Sequence, residues 1–136
     1  IRQNIYTVNG ITVIADCYNA SPESMNAALS VLENAKGRKV AVLGDMLELG
    51  TFAMGLHSSL GEKIRQCKTD VLLCYGDFAY TVCASFGGGS AFELEKREDF
   101  IEAVRAELKE GDTVLFKASN RLRFSELIDE VGLGKK

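Results

Sequence analysis

The residues Asp16 to Met25, DCYNASPESM, constrain the fold more than any other stretch, because they hand an apolar strand directly to a capped helix. Ile11, Val13 and Ile14 run apolar into Asp16. Ser21 then reads as a helix N-cap and Pro22 as the first helical residue, with Met25, Ala28, Leu29 and Leu32 at the spacing of one buried helical face. Pro22 is the only proline in the chain, and it stands where a missing N–H costs nothing because that donor is unpaired in any helix. Asp16, Tyr18 and Asn19 are thereby expected at the carboxyl edge of a sheet, where open α/β sheets bind ligands.

Elsewhere the pattern is a repeated strand and helix. Ile5 to Val8 and Ile11 to Asp16 predict a hairpin turned at Asn9-Gly10. A helix from Pro22 to about Ala35 is stopped by Gly37, and Lys39 to Leu43 begins a new strand. Val71 to Tyr75 predicts a strand, Asp77 to Phe86 a helix, Gly87-Gly88-Gly89 a flexible turn and Ser90 to Glu93 a short edge strand. Glu98 to Leu108 predicts a helix, Thr113 to Lys117 a buried strand, and Phe124 to Val131 a last helix, with the end from Gly132 to Lys136 expected to fray. Such alternation implies an α/β fold with a mostly parallel sheet covered by helices on both faces and one antiparallel strand from the opening hairpin. Four polar loops then share one edge: Asp16 to Ser21, Gly44 to Gly50, Gly76-Asp77, and Lys117 to Arg123.

A chain of 136 residues fits one domain with a substantial core. No apolar run is long enough to span a bilayer and no signal-peptide pattern follows Ile1, so the expected setting is soluble and cytoplasmic, with no membrane partner. A net charge of -3 with no clustered basic face argues against nucleic acid. Cys17, Cys67, Cys74 and Cys83 show no C-x-x-C spacing and have only His57 beside them, which does not make a zinc set. Buried, reduced thiols are expected, with Cys17 partly exposed.

The segments DCYNASPESMNAAL and VAVLGDMLELG closely resemble the carboxyl-terminal domain of the Mur ligases. Tyr18 and Asn19 match the D-x-Y-N-A-N-P-x-S-M turn of the member that adds D-alanyl-D-alanine, whereas its sister ligases and the folylpolyglutamate synthetases carry an A-H-N-P-like turn. The similarity continues through Gly44 to Gly50, His57 and Lys117, over nearly the whole chain. It implies a three-layer Rossmann-like domain with about six strands, spanning residues 1–136 as one piece of a three-domain enzyme. It also implies ATP-dependent amide formation, in which a UDP-N-acetylmuramoyl-tripeptide carboxylate is phosphorylated and then attacked by the amine of D-alanyl-D-alanine. In the family the phosphate loop, the Mg2+ ligands and a carbamylated lysine belong to the central domain, and the amino-terminal domain holds the UDP-sugar. Consistent with that division, the present chain contains no G-x-x-x-x-G-K-[ST].

The resemblance assigns ATP contacts to Asp16, Tyr18, Asn19 and Arg2. Chemically, Asp16 can accept from a ribose diol, Tyr18 can stack on adenine, and Asn19 can both donate and accept at a base or ribose edge. The alternative for Asp16 and Asn19 is that they end the strand and hydrogen-bond their own turn; for Arg2 it is a solvated arginine. Lys117, Ser119 and Arg121 are the substrate-binding candidates, Lys117 through an ammonium that reaches past its strand toward a phosphate or carboxylate. The family usually reads K-G-S-R here, so Ala118 replaces the glycine, and the arginine is either shifted by one residue or absent, with Arg121 and Arg123 the two residues that could substitute for it. Ser21 replaces an asparagine with an equally good cap. Asp45 and Glu48 can hold magnesium or pack at a domain interface, and His57 is expected at that interface or in the core. Two other classes fit the same pattern: a stand-alone nucleotide-binding module, although no G-x-G-x-x-G follows the first strand, and a receiver-like module built on Asp16, Asp45 and Lys117, although Ala15 stands where a second acid is needed.

Overall fold

The structure is a computed structural model and describes residues 4–135. Its six-stranded sheet runs in the order β1-β2-β6-β3-β4-β5, with β1 (Asn4–Val8), β2 (Ile11–Asp16), β3 (Lys39–Gly44), β4 (Val71–Tyr75), β5 (Ser90–Phe92) and β6 (Thr113–Lys117). Only β1 and β2 pair antiparallel, across a turn in which Asn9 (φ 53) and Gly10 (φ 77) both adopt the left-handed conformation of a tight hairpin. The other pairings are parallel. The sheet order, which strand periodicity does not encode, inserts the late strand β6 between β2 and β3.

Alternate residues of each strand supply two cores. Val13, Val40, Val42, Tyr75, Val114 and Phe116 face α4 (Arg97–Glu107) and α5 (Phe124–Glu130), around a stack in which the Tyr75 and Phe100 rings lie 4.8 Å apart. Ile14, Ala41, Leu43, Leu72, Cys74 and Leu115 face α1 (Pro22–Glu33), α2 (Ala53–Gln66) and α3 (Ala79–Phe86). The three-layer expectation is therefore met. β6 is buried at every residue, as a central parallel strand with helices on both faces must be.

The signals around Pro22 act as expected. Ser21 accepts the Ser24 N–H while Ser24 returns a bond to the Ser21 N–H, and Met25, Ala28, Leu29 and Leu32 are the buried residues of α1. α1 stops at Glu33, short of Ala35, and α3 begins at Ala79, with the two preceding N–H groups bonded by a side chain of another loop. The chain end corrects one expectation. Leu133 is buried and its carbonyl accepts the Tyr6 hydroxyl at 2.8 Å, so the residues after Gly132 pack on β1 instead of fraying; Lys136 lies outside the described residues. All four cysteines are free, Cys17 half-buried and the rest buried, as their spacing implied. At the amino edge, Arg38 joins Asp112 (3.1 Å) and Glu107 (3.0 Å), tying the start of β3 to the end of α4 and the start of β6.

α2 and α3 pack more closely than side chains normally permit, because Gly61 has none. A Cβ there would lie 2.0 Å from Ser85 Oγ and 2.3 Å from the Val82 carbonyl. Gly61→Ala should therefore overpack this contact and lose about 1–3 kcal/mol, despite alanine's better helix propensity. Urea unfolding of the two chains checks this; a stabilised variant would show that the helices separate at no cost.

Candidate functional site

Asp16 and Lys117 end adjacent strands in direct register, Leu43 pairs with Lys117 on the other side, and Gly44 pairs with Tyr75. The strand ends therefore bring the four expected loops to one edge. Loop 44–50 is the most heavily tied of them. The Asp45 carboxylate accepts the N–H groups of Asp77 (2.7 Å) and Phe78 (3.0 Å), the Asp45 carbonyl accepts the Ser119 N–H, and the Leu47 N–H donates to Ser119 Oγ at 3.0 Å. Gly76 is required beside it: its φ is +133, and a Cβ would come within 2.5 Å of the Asp45 carboxylate. Burial raises the Asp45 pKa, the two N–H bonds opposing that rise.

His57 completes the loop. Its Nε2 accepts the Met46 N–H at 3.0 Å, so Nδ1 carries the proton donated to the Ala53 carbonyl at 2.7 Å, and the ring stacks on Phe78 with centroids 4.3 Å apart. Burial lowers its pKa below 6.5, which keeps this neutral form. At 1% exposure with both nitrogens bonded, His57 is a core residue that shapes the rim and not a base. Asp45, His57 and Ser119 thus hold loops to loops.

Lys117 departs from expectation. Expected to reach a ligand's phosphate or carboxylate, its ammonium instead meets a carboxylate of its own domain, Asp16 Oδ2 at 3.0 Å, and donates to the Asn19 carbonyl at 2.8 Å; the side chain is 1% exposed. Asp16 retains 14% exposure and Tyr18 56%. The Asn19 side chain lines a groove of about 320 Å3 with Leu47, Glu48, Ser119, Asn120 and Arg121. Arg121 also walls a second groove of about 360 Å3 with Asp45, Tyr75, Asp77, Arg97 and Arg123, and a third space, beside Cys17, Tyr18 and Asn120, measures about 410 Å3. Of the sequence candidates, Asp16, Tyr18, Asn19, Glu48, Ser119 and Arg121 therefore share this edge, and Arg2 lies outside the described residues. The receiver-like triad does not assemble, because Asp45 turns to the β4 side of β3 while Lys117 pairs with Asp16 on the other side.

Sequence reading missed Arg97, which no motif marks. Its guanidinium donates to the carbonyls of Leu122 and Arg123 at 3.0 Å each and lies 5.6 Å from the centre of the Tyr75 ring, bracing the turn that carries Arg121. Two residues on the rim, Glu48 (φ 62) and Arg123 (φ 55), adopt the left-handed conformation without being glycine. Among the described residues no group of three or more His, Cys, Asp or Glu side chains is arranged to hold a metal ion. The Asp45 carboxylate is committed to the backbone amides of Asp77 and Phe78.

Comparison with known proteins decides the family, since the model of the Mur ligase, glutamate ligase domain matches residues 2–120. The chain belongs to the Mur ligase family. A Bacillus subtilis (strain 168) relative, UDP-N-acetylmuramoyl-tripeptide--D-alanyl-D-alanine ligase, is 35% identical over 135 residues, covering 93% of this chain and 29% of the relative. The crystal structure of MurF from Acinetobacter baumannii superimposes with a TM-score of 0.83 at 30% identity, over 96% of this chain and 29% of that one. MurF ligase from Thermotoga maritima in complex with ADP gives 0.78 at 27% identity, over 96% and 30%. The chain therefore spans under a third of the length of these Mur ligases. The Rossmann-like Mur ligase fold and the hairpin-led sheet are those expected from the sequence.

The buried imidazole sets a pH dependence. Because the folded pKa of His57 is lowered, its contribution to stability is complete above the unfolded value of 6.5 and is lost as pH falls through the folded value. Protonation would also set an Nε2–H against the Met46 N–H. Asp45, which faces His57, has the opposite sign, its contribution being present below 3.8 and lost as pH rises through its raised pKa. His57→Gln should be less stable than the parent at pH 7.5, and the gap should narrow by pH 5.5. Denaturant midpoints at the two pH values measure this; an unchanged gap would show that folding leaves the His57 pKa unshifted, and a wider one that the fold holds the ring charged.

Proposed function

We propose that this chain is the carboxyl-terminal domain of a cytoplasmic, ATP-dependent ligase that joins D-alanyl-D-alanine to UDP-N-acetylmuramoyl-tripeptide in peptidoglycan precursor synthesis. The observation that carries the reading is the edge where the Asp16–Asn19 turn and the Ser119–Arg121 turn flank one groove at the ends of β2, β6 and β3. Supporting it, the B. subtilis relative bears the name of that ligase, and the T. maritima structure with ADP shares this fold over 96% of the chain. No described helix is long and apolar enough to cross a membrane.

In this reading ATP is a substrate, and its γ-phosphoryl group passes to the tripeptide carboxylate. The dipeptide amine then attacks the acyl carbon, an amide bond forms and inorganic phosphate leaves. Both steps build negative charge that cations must stabilise. In the family that the sequence resembles, the phosphate loop and the magnesium ligands belong to the central domain, and the present reading keeps that division. Asp16, Tyr18 and Asn19 contact the nucleoside, with Arg2 beside them. Ser119 and Arg121 face the dipeptide, where a guanidinium suits a carboxylate in two-point contact. Glu48, on the exposed rim, faces the neighbouring domain. Closure of this rim over ATP expels water and completes a site that neither domain forms alone.

The deciding experiment follows ADP release by the full-length gene product with ATP, magnesium, UDP-N-acetylmuramoyl-tripeptide and D-alanyl-D-alanine. Release should require both peptide substrates. Asp16→Ala should lower kcat/KM for ATP by roughly ten- to a hundredfold, the equivalent of about 1.5–3 kcal/mol for one hydrogen bond to a charged group. Release without dipeptide sinks the ligase reading, whereas full activity in the variant removes Asp16 from the nucleotide.

A further inference from the structure

We infer that Lys117 is a positioning residue, which holds the Asp16–Asn19 turn in its ligand-facing shape and meets no ligand itself. This rests on the nucleotide reading above and assigns to the buried lysine a role that differs from the substrate contact expected of it. One ammonium bridges two points of the turn: Asp16 Oδ2 at 3.0 Å, where β2 ends, and the Asn19 carbonyl at 2.8 Å, three residues later. Its stem runs inside a strand buried at every residue, and the whole side chain is 1% exposed. To reach a phosphate in the groove the ammonium would have to abandon both partners, leaving the Asp16 carboxylate without its cation and the Asn19 carbonyl without its donor.

The arrangement fixes how the turn presents itself. With Oδ2 committed to Lys117, a nucleoside hydroxyl meets Oδ1, so Asp16 is a one-point acceptor already neutralised from behind. Anchoring the Asn19 carbonyl likewise sets the backbone from which the Asn19 side chain enters the groove beside Asn120 and Arg121. A lysine suits this task because its ammonium is a compact point charge with three donors, able to serve a carboxylate and a carbonyl that are not coplanar.

Lys117→Met keeps the stem and removes the charge and the donors, and Asp16→Asn removes the opposite charge. In the full-length enzyme, Lys117→Met should raise KM for ATP at least tenfold and leave KM for the dipeptide and for the UDP-tripeptide within twofold. The double variant should bind ATP no worse than the weaker single one, because both act through one turn. A raised dipeptide or tripeptide KM with an unchanged ATP KM overturns the inference and makes Lys117 a substrate ligand; effects that multiply overturn it too, by separating Lys117 from Asp16. A second readout needs no activity. In the full-length enzyme, Lys117→Met should speed amide hydrogen exchange at Ser21, whose N–H at the end of the turn is held by Ser24 Oγ, at least tenfold and leave β3 and β4 protected. Unchanged exchange in the turn overturns the positioning role even if the ligase is active. Faster exchange in a parent enzyme that releases no dipeptide-dependent ADP upholds it and sinks only the ligase reading.

Discussion

Three consecutive residues of one loop hold the carboxyl edge together. Asp45 binds the start of the β4–α3 connection through its carboxylate and the β6 loop through its carbonyl, Met46 donates to His57 on α2, and Leu47 donates to Ser119. A backbone that leaves a strand must find partners for N–H and C=O groups the sheet no longer serves. Here those partners come from other elements, so the separate loops behave as one rim. The side chains that remain exposed on it, Tyr18, Asn19, Glu48, Asn120 and Arg121, are consequently carried on a braced frame.

The same edge buries charge in two ways. Asp45 is answered by neutral N–H groups, which stabilise its carboxylate without a counter-ion and oppose the rise in pKa that burial causes. Lys117 is answered by a full opposite charge, with a carbonyl as second acceptor. The Arg38, Asp112 and Glu107 cluster is also an ion-pair network, but it joins strand and helix ends at the opposite, amino edge of the sheet. Ion pairing alone therefore does not mark the site; the exposed polar groups beside it do.

Much of the fold was legible because its signals are local. The Ser21–Pro22 cap, the Asn9-Gly10 hairpin and the apolar strand at Lys39 to Leu43 each act within a few residues, and all three reappear in the structure. The edge holding the candidate site was legible for the same reason, since every parallel strand announces its own carboxyl end. What was not legible is tertiary. The fate of the Lys117 ammonium depends on a carboxylate 101 positions earlier in the chain, brought beside it only by the sheet order. Arg97 carries no motif because its acceptors are carbonyls, which any sequence supplies. Leu133, in a run of glycine and lysine that reads as loose, is buried because Tyr6 and α5 meet it there.

The placing of β6 between β2 and β3 has a consequence for how the molecule comes into being. Until residues 113–117 are in place, the sheet is two fragments, β1-β2 and β3-β4-β5, each with an open edge of unpaired backbone groups. Closing them requires pairings between residues 101 positions apart on one side of β6, as between Thr12 and Thr113, and 74 apart on the other, as between Lys39 and Thr113, the kind of contact that forms slowly because much chain must be ordered first. The Asp16–Lys117 bridge belongs to that last closure. The shape of the Asp16–Asn19 turn is therefore a product of complete folding, and a ribosome-bound chain that has not yet exposed β6 has only two adhesive edges, which the final strand must reach before a neighbouring molecule does.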